Sequence, residues 1–187
     1  IDEDAGDRHT FSLVVPQDGG VPPFSISGTT LKTTAELDFE AQPRHDLLIR
    51  VVDDKGAEFS QMLTIDVLNA SDPPTAVILS PAQVQEGQPK DTLVGTLTAS
   101  DPDQDDTHTF RITGGTDKSL FAISGSQLFT KVPLDYETKS ELQVTIEARD
   151  SENLTVEQTL TVNVIDTNDP PTGITLDNDT FAENLPI

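Results

Sequence analysis

The chain repeats itself at a spacing of nearly one hundred residues, and this period restricts its fold more than any other feature. LDFE at 37–40 returns as LDYE at 134–137, an offset of 97, and NASDPPT at 69–75 returns as DTNDPPT at 166–172 with the same offset. Asp53 returns as Asp150, again 97 residues later. A fixed period of self-similarity is typical of tandem arrays. We therefore expect similar units in series rather than one large domain.

The period predicts three parts. Residues 1–74 are expected to form a repeat that lacks its first two strands, residues 75–172 a complete repeat, and residues 173–187 the opening strand of a third. A repeat of about 97 residues can bury a core of its own. In the first part the missing strands would expose core and sheet edge, unless residues upstream or another chain complete it. The sequence leaves both possibilities open.

Short alternating segments predict an all-β fold. Apolar residues occupy every second position over 142–148 and over 160–164, which is the pattern of half-buried strands. Residues 121–124 and 127–130 predict a hairpin, and further strands are expected over 76–84, 92–99 and 107–113, with Leu93 and Leu97 on one side. Seven short strands in about 97 residues are typical of a Greek-key, Ig-like sandwich. The paired prolines in the linkers favour sandwiches arranged end to end.

The charge balance narrows the function. The net charge is −22, from 33 acids and 11 bases, which argues against binding to nucleic acid and against binding to an anionic membrane surface. Three explanations of the negative charge remain: cation binding, a solvated acidic surface and disorder. The regular alternation of apolar residues argues against disorder. Fourteen acids lie in the recurring motifs, and the other 19 acids against 11 bases are an ordinary surface balance. The motif acids thus account for most of the excess.

The chain has no cysteine, and no signal peptide is visible. It also has no stretch of 18 apolar residues, so no membrane insertion is expected. Secreted domains are often crosslinked by disulfides, and metal ions can take that role. The acidic motifs lie at predicted strand ends and linkers, where oxygen ligands from several strands can meet at one pole of a sandwich. Calcium accepts about 6–8 oxygen ligands in loose geometry, whereas magnesium and zinc are more demanding in geometry or ligand type. The residues therefore favour calcium.

These motifs resemble those of cadherin repeats. The resemblance rests on the Asp-x-Asp pairs, the LDxE motifs, ARD at 148–150, AEN at 182–184 and DTNDPP at 166–171, and it covers essentially the whole chain. FSI at 24–26 and LDYETK at 134–139 are more similar to the cadherin-like repeats of large bacterial surface proteins than to those of animal adhesion receptors.

The resemblance implies calcium ions between successive repeats. At the first junction it implies the ligands Asp38, Glu40, Asp72, Asp101, Asp103 and Asp150, assisted by Asn69 and the carbonyl of Ala70. At the second it implies Glu86, Asp135, Glu137, Asp166, Asn168 and Asp169, and Asp2, Asp4 and Asp53 are expected to serve a preceding repeat. Because Asn69 and Ser71 replace Asp166 and Asn168, we expect the first junction to bind calcium more weakly.

The resulting expectation is an extracellular, calcium-rigidified segment of a cell-surface adhesin or stalk, whose partners are calcium, neighbouring repeats and possible homophilic contacts. The alternative is a module that recognises carbohydrate or protein through an exposed sheet face, although the chain has no Trp and one Tyr. Paired carboxylates also occur in glycosidases. Because these pairs recur at the ends of each unit, they suit crosslinking better than one catalytic cleft, and no enzyme is expected.

Overall fold

The computed structural model describes residues 8–15, 20–175 and Glu183. Within these residues the chain consists of thirteen β-strands, turns and one 3-10 helix at Lys118–Leu120. It forms two compact units. Unit 1 comprises Ile1–Pro73 with Asp101–Asp106, and unit 2 comprises Pro74–Ser100 with Thr107–Ile187. In the described part of the chain, no helix has the length and apolar character needed to cross a membrane.

Unit 1 contains a three-stranded antiparallel sheet and a separate hairpin. Its strands are β1 (His9–Leu13), β2 (Phe24–Ser27), β3 (Thr30–Thr33), β4 (Arg44–Asp53) and β5 (Glu58–Asp66). The sheet has the order β1–β4–β5, and the hairpin pairs β2 with β3. The buried residues of the unit include Phe24, His45 and Leu47, and the Phe24 and His45 rings meet edge to face with centroids 5.1 Å apart.

Unit 2 is a sandwich of two four-stranded sheets. Its strands are β6 (Ala76–Ser80), β7 (Gln83–Gln85), β8 (Leu93–Ser100), β9 (Thr109–Gly114), β10 (Phe121–Ser124), β11 (Gln127–Thr130), β12 (Glu141–Arg149) and β13 (Thr155–Ile165). The two sheets have the orders β10–β11–β8–β6 and β7–β13–β12–β9. All pairs are antiparallel except β7 with β13, which run parallel.

The core of unit 2 lies between these sheets and is mostly aliphatic. Alternate residues of β12 point inward, so that Val144 and Ile146 are fully buried, and Leu97 and Leu128 face them from the other sheet with exposures of 1% or less. Burial of one such side chain contributes about 1.5–3 kcal/mol. The all-β sandwich and the hairpin over 121–124 and 127–130 are confirmed.

The expectation of one strand over 76–84 is wrong in detail. The strand ends at Ser80 and resumes at Gln83, and its two halves pair in different sheets. Pro81 has no amide proton for a ladder hydrogen bond, and Ala82 has a φ of 57°, in the left-handed region. These two residues therefore redirect the chain from one sheet to the other, and unit 2 has eight strands instead of seven.

The prediction that Leu93 lies on the same side of its strand as Leu97 is also wrong. Leu93 is 46% exposed, whereas its neighbour Val94 and also Leu97 are 1% exposed. The register between β8 and β11 shifts between Leu128 and Phe129, where Leu128 pairs with Gly95 and Phe129 with Leu93. An extra residue in one strand reverses the side on which the preceding residues lie. A period-two pattern cannot indicate such a bulge.

Candidate cation sites

The best-formed acidic cluster lies in unit 2. Carboxylate oxygens of Glu86, Asp135 and Glu137 lie within 4.8 Å of one another. Glu86 is only 5% exposed and follows directly after β7, whereas the other two residues lie in the turn that precedes β12. This cluster unites three of the sequence-predicted ligands from separate parts of the repeat.

Backbone amides hold Glu86 in place. The amide of Tyr136 donates a hydrogen bond to Glu86 Oε2 (2.8 Å), and that of Thr167 donates to Oε1 (2.7 Å). These hydrogen bonds lower the pKa of Glu86, because they favour its ionised form. The Glu86 side chain therefore fixes both the LDYE turn and the linker segment around Thr167 while it remains negatively charged.

The LDYE motif forms a single tight turn that its own Asp stabilises. Asp135 Oδ1 accepts from the Thr138 amide (3.0 Å), Oδ2 accepts from the Thr138 hydroxyl (2.9 Å), and the amide of Lys139 donates to the Asp135 carbonyl (3.0 Å). These hydrogen bonds lower the pKa of Asp135, with those from Thr138 the largest cause. Side chains that bond to nearby backbone amides favour such turns.

Glu137 is repelled by several negatively charged side chains around it. A hydrogen bond from its own backbone acts to lower its pKa, but partial desolvation and repulsion from Glu86, Asp166 and Asp169 outweigh it, so that the pKa of Glu137 is raised. The charges of the linker acids therefore reach the cluster. Asn168, the remaining predicted ligand of this set, donates from its side chain to the Asp169 carbonyl (3.3 Å). The arrangement favours a bound cation, which would remove this repulsion.

Unit 1 has a second acidic group around Asp103. Its Oδ1 accepts from the side-chain amide of Asn69 (2.9 Å), its Oδ2 accepts from the backbone amide of Asp72 (2.8 Å), and its own amide donates to Asp101 Oδ1 (3.0 Å). The hydrogen bonds from Asp72 and then Asn69 lower the pKa of Asp103. Asn69 thus meets Asp103 through its nitrogen and as a donor.

The other predicted residues of this set line a cavity of about 460 Å³ in unit 1. Asp38, Glu40, Ala70 and Asp72 all contribute to its wall. Asp38 occupies a turn like that of Asp135, because its Oδ1 accepts from the amide of Ala41 (2.8 Å). The cavity wall is therefore rich in the carboxylate and carbonyl oxygens that a hard cation requires.

The strand-end aspartates are held alike but differ in burial. Asp150 Oδ1 accepts from the Leu154 amide (2.8 Å), and Asp53 Oδ1 accepts from the amides of Lys55 and Ala57 (2.9 and 2.8 Å). Asp150 is 5% exposed, and its Oδ2 has no hydrogen-bond partner among the described residues. A buried carboxylate oxygen without a partner is costly, and a cation would satisfy it. Asp2 and Asp4 lie outside the described residues.

Comparison with known proteins identifies the fold around these clusters. Residues 80–165 match the family profile of the cadherin domain. Residues 80–165 are therefore similar to a cadherin domain. Protocadherin Fat 2 of Rattus norvegicus is 35% identical over 75% of this chain and 4% of its own length, and Protocadherin-16 of Homo sapiens is 34% identical over 82% and 5%. This chain therefore spans about one twentieth of these curated relatives.

Solved cadherin structures share the fold. The extracellular cadherin domains 1–5 of Protocadherin Gamma B2 align with 86% of this chain and 34% of their own, with a TM-score of 0.59 and 22% identity. Cadherin domains are not enzymes, so the family match confirms the expectation that this chain is not one. These relatives are animal protocadherins. The comparisons therefore support a similarity to cadherin repeats and do not single out those of bacterial surface proteins.

The structure adds two acids that the sequence interpretation missed. Carboxylate oxygens of Asp106 lie within 4.8 Å of those of Asp101 and Asp103, and Glu152 offers an oxygen within the same distance of Asp150. The repeat did contain a signal for Asp106, because Asp7 precedes it by the same 99 residues that separate Asp2 from Asp101. Glu152 had no such signal, since Lys55 occupies its counterpart position in the first cadherin-like repeat.

Proposed function

We propose that the chain is a calcium-binding segment of an extracellular cell-adhesion protein. Residues 1–74 would be a cadherin-like repeat that lacks its first two strands, residues 75–172 a complete repeat, and residues 173–187 the opening strand of a third. The observation that supports this most is the cluster of Glu86, Asp135 and Glu137, whose carboxylates lie within 4.8 Å of one another in a cadherin-like fold. The charges of Asp166 and Asp169 add to it. So much negative charge at one end of a unit is expected to require a divalent cation.

Calcium suits the residues of both clusters. Every proposed side-chain ligand of the metal is a carboxylate or amide oxygen. None is a thiolate or an imidazole, the ligands that zinc prefers. In unit 2, Glu86, Asp135, Glu137, Asp166, Asn168 and Asp169 would hold the ion. In unit 1, Asp38, Glu40, Ala70, Asp72, Asp101 and Asp103 would do so. Asp150 would add its buried, unpartnered oxygen, and Asp2, Asp4 and Asp53 would serve a preceding repeat.

The proposed role of calcium is mechanical. Ions bound beside the linkers 69–75 and 166–172 would remove repulsion between carboxylates and restrict the angle between successive repeats, and the double prolines would limit bending further. The segment would then act as a stiff extracellular spacer that contacts neighbouring repeats and, in the parent protein, a second cell-surface molecule. We further propose a bacterial surface protein as the parent, on the motifs at 24–26 and 134–139 alone.

The alternative function, recognition of carbohydrate or protein through a sheet face, has less support. Aromatic platforms are the usual means of stacking against sugars, and this chain has no Trp. Its one Tyr, Tyr136, lies between two of the proposed calcium ligands. Calcium binding is therefore the function that the described residues favour.

The position of Tyr136 allows a direct test. Terbium ions replace calcium in oxygen-rich sites and emit when a nearby tyrosine absorbs light, so terbium emission would report on the Glu86 cluster in particular. We expect emission that millimolar calcium abolishes and magnesium does not, and Tyr136→Phe as the control without emission. Absence of emission from the unaltered chain, or equal displacement by magnesium, would contradict the proposed calcium site.

A further inference from the structure

A partly buried ion pair lies beside the LDYE turn of unit 2. The Lys139 ammonium contacts both carboxylate oxygens of Asp117, at 2.7 and 2.8 Å. The Asp117 side chain is 11% exposed and that of Lys139 is 46% exposed. Neither residue belongs to the predicted ligand sets, yet Lys139 is only two positions beyond Glu137.

Asp117 is fixed to the sandwich by its backbone and its side chain. Its amide donates to the carbonyl of Gln143 (3.0 Å), and its Oδ2 accepts from the amide of Gln143 (2.7 Å) and from the hydroxyl of Thr116 (2.8 Å). Gln143 lies in β12, one of the central strands of its sheet. Asp117 therefore has little freedom to move relative to the core.

The approach of this loop to β12 depends on Gly115. Its φ is +96°, and a Cβ atom there would lie 2.5 Å from the carbonyl oxygen of Gln143 and 2.6 Å from the Cα of Val144. Only glycine permits so close an approach in that conformation. The sequence thus brings the loop against the strand at the place where Asp117 can reach Lys139.

We propose that the Asp117–Lys139 pair is a positioning device for calcium: it holds the LDYE turn in its ligating geometry and keeps the Lys139 charge away from Asp135 and Glu137. The inference rests on the proposed function. The backbone amide of Lys139 donates to the Asp135 carbonyl (3.0 Å), so that fixing Lys139 also fixes the start of the turn. Without Asp117, the freed ammonium would be able to pair with the ligand carboxylates and compete with the cation.

Unit 1 gives an internal contrast. Gln42 occupies the position that corresponds to Lys139, 97 residues earlier, and its side-chain amide donates to the carbonyl of Arg44 (3.0 Å). The LDFE turn is therefore held without an ammonium group at this position. The pair is a feature of the second unit and of its turn.

The test measures terbium affinity at the Tyr136 site and thermal unfolding in EDTA on the same 187-residue variants. We expect Asp117→Asn to weaken terbium and calcium binding by about 10–100-fold, the usual loss when a residue that supports a metal ligand is removed. Lys139→Arg should retain near-normal affinity. In the variant that carries both Asp117→Asn and Lys139→Met, affinity should recover in part, because the freed ammonium is gone.

The matched control is Arg111→Met. Arg111 pairs with the nearly buried Glu147 at 2.7 Å in the same unit, and its removal should lower the unfolding temperature without changing terbium affinity. If Asp117→Asn also lowers only the unfolding temperature and leaves the affinity unchanged, the pair is purely structural and the inference is wrong. If the unaltered chain binds neither ion, the proposed function fails instead, so the two failures are distinguishable.

Discussion

The two units differ in the burial of some equivalent residues. Val144 of β12 and its counterpart Leu47 of β4 are both buried, but Ile146 is 0% exposed whereas its counterpart Ile49 is only half-buried. In the adjacent strand β5 of unit 1, Phe59 is 63% exposed. The difference follows from the sheets: in unit 2, β6 and β8 cover this face, whereas the described residues of unit 1 contain no strand in their place.

The open face of unit 1 includes an apolar cavity of about 440 Å³, lined in part by Leu13, Val21, Leu47 and Met62. The acidic motifs and the apolar core of a repeat are separable. Unit 1 retains the LDFE turn and the strand-end Asp53, each with its hydrogen bonds, although its core is only half covered. Local turns form from their own side chains, whereas burial requires both sheets.

The largest effect is expected from an identical core substitution in both units. Ile146 and Ile49 are 97 residues apart and occupy equivalent positions. Ile146→Ala should lower the free energy of unfolding of unit 2 by about 2–5 kcal/mol, because it opens a cavity in a closed core. Ile49→Ala should cost less than half as much, because water already reaches that site. Urea unfolding followed by amide hydrogen exchange measures both losses, and equal losses would show that the two sites are equally buried in the folded chain.

Local signals in the sequence predicted many of the strands and turns of this molecule. Period-two alternation identified β12 and β13, and the repeat located the turns of Asp38 and Asp135, because both signals are local. The break at Pro81 and the bulge beside Leu93 were missed, since a pattern of apolar residues does not record which sheet a strand joins. The Asp117–Lys139 pair was also missed, because its partners are 22 residues apart and only the folded chain brings them together.

A smaller effect is expected at Asn69, one of the residues that differ between the two linkers. Asn69→Asp would remove the hydrogen bond to Asp103 and add a charge beside it. We expect a lower unfolding temperature in EDTA and a larger gain on adding calcium, because the variant acquires the carboxylate that Asp166 provides in the second linker. Calorimetry in both buffers measures the change, with Asn69→Ala as the control that loses the hydrogen bond without gaining a ligand. An unchanged calcium gain in Asn69→Asp would show that this position does not face the ion.

The smallest change in unfolding temperature is expected when the charge of Glu137 is removed. Its raised pKa means that its ionised form is disfavoured in the folded unit, so its destabilising effect is present above the folded pKa and disappears as the pH falls towards the unfolded value. At neutral pH, Glu137→Gln should therefore raise the unfolding temperature slightly in EDTA and reduce the gain from calcium. An unchanged gain from calcium in Glu137→Gln would contradict the role of Glu137 as a crowded ligand.

The most direct test of the account is calorimetric unfolding of the whole chain in EDTA, in calcium and in magnesium at equal ionic strength. A site that binds the folded unit with free calcium at about 100 times its Kd adds about 2.7 kcal/mol of stability. We predict that calcium raises the unfolding temperature by several degrees and that magnesium does not reproduce the increase. The same unfolding temperature in EDTA and calcium, or an equal increase with magnesium, would mean that these carboxylates form an acidic surface and no calcium site.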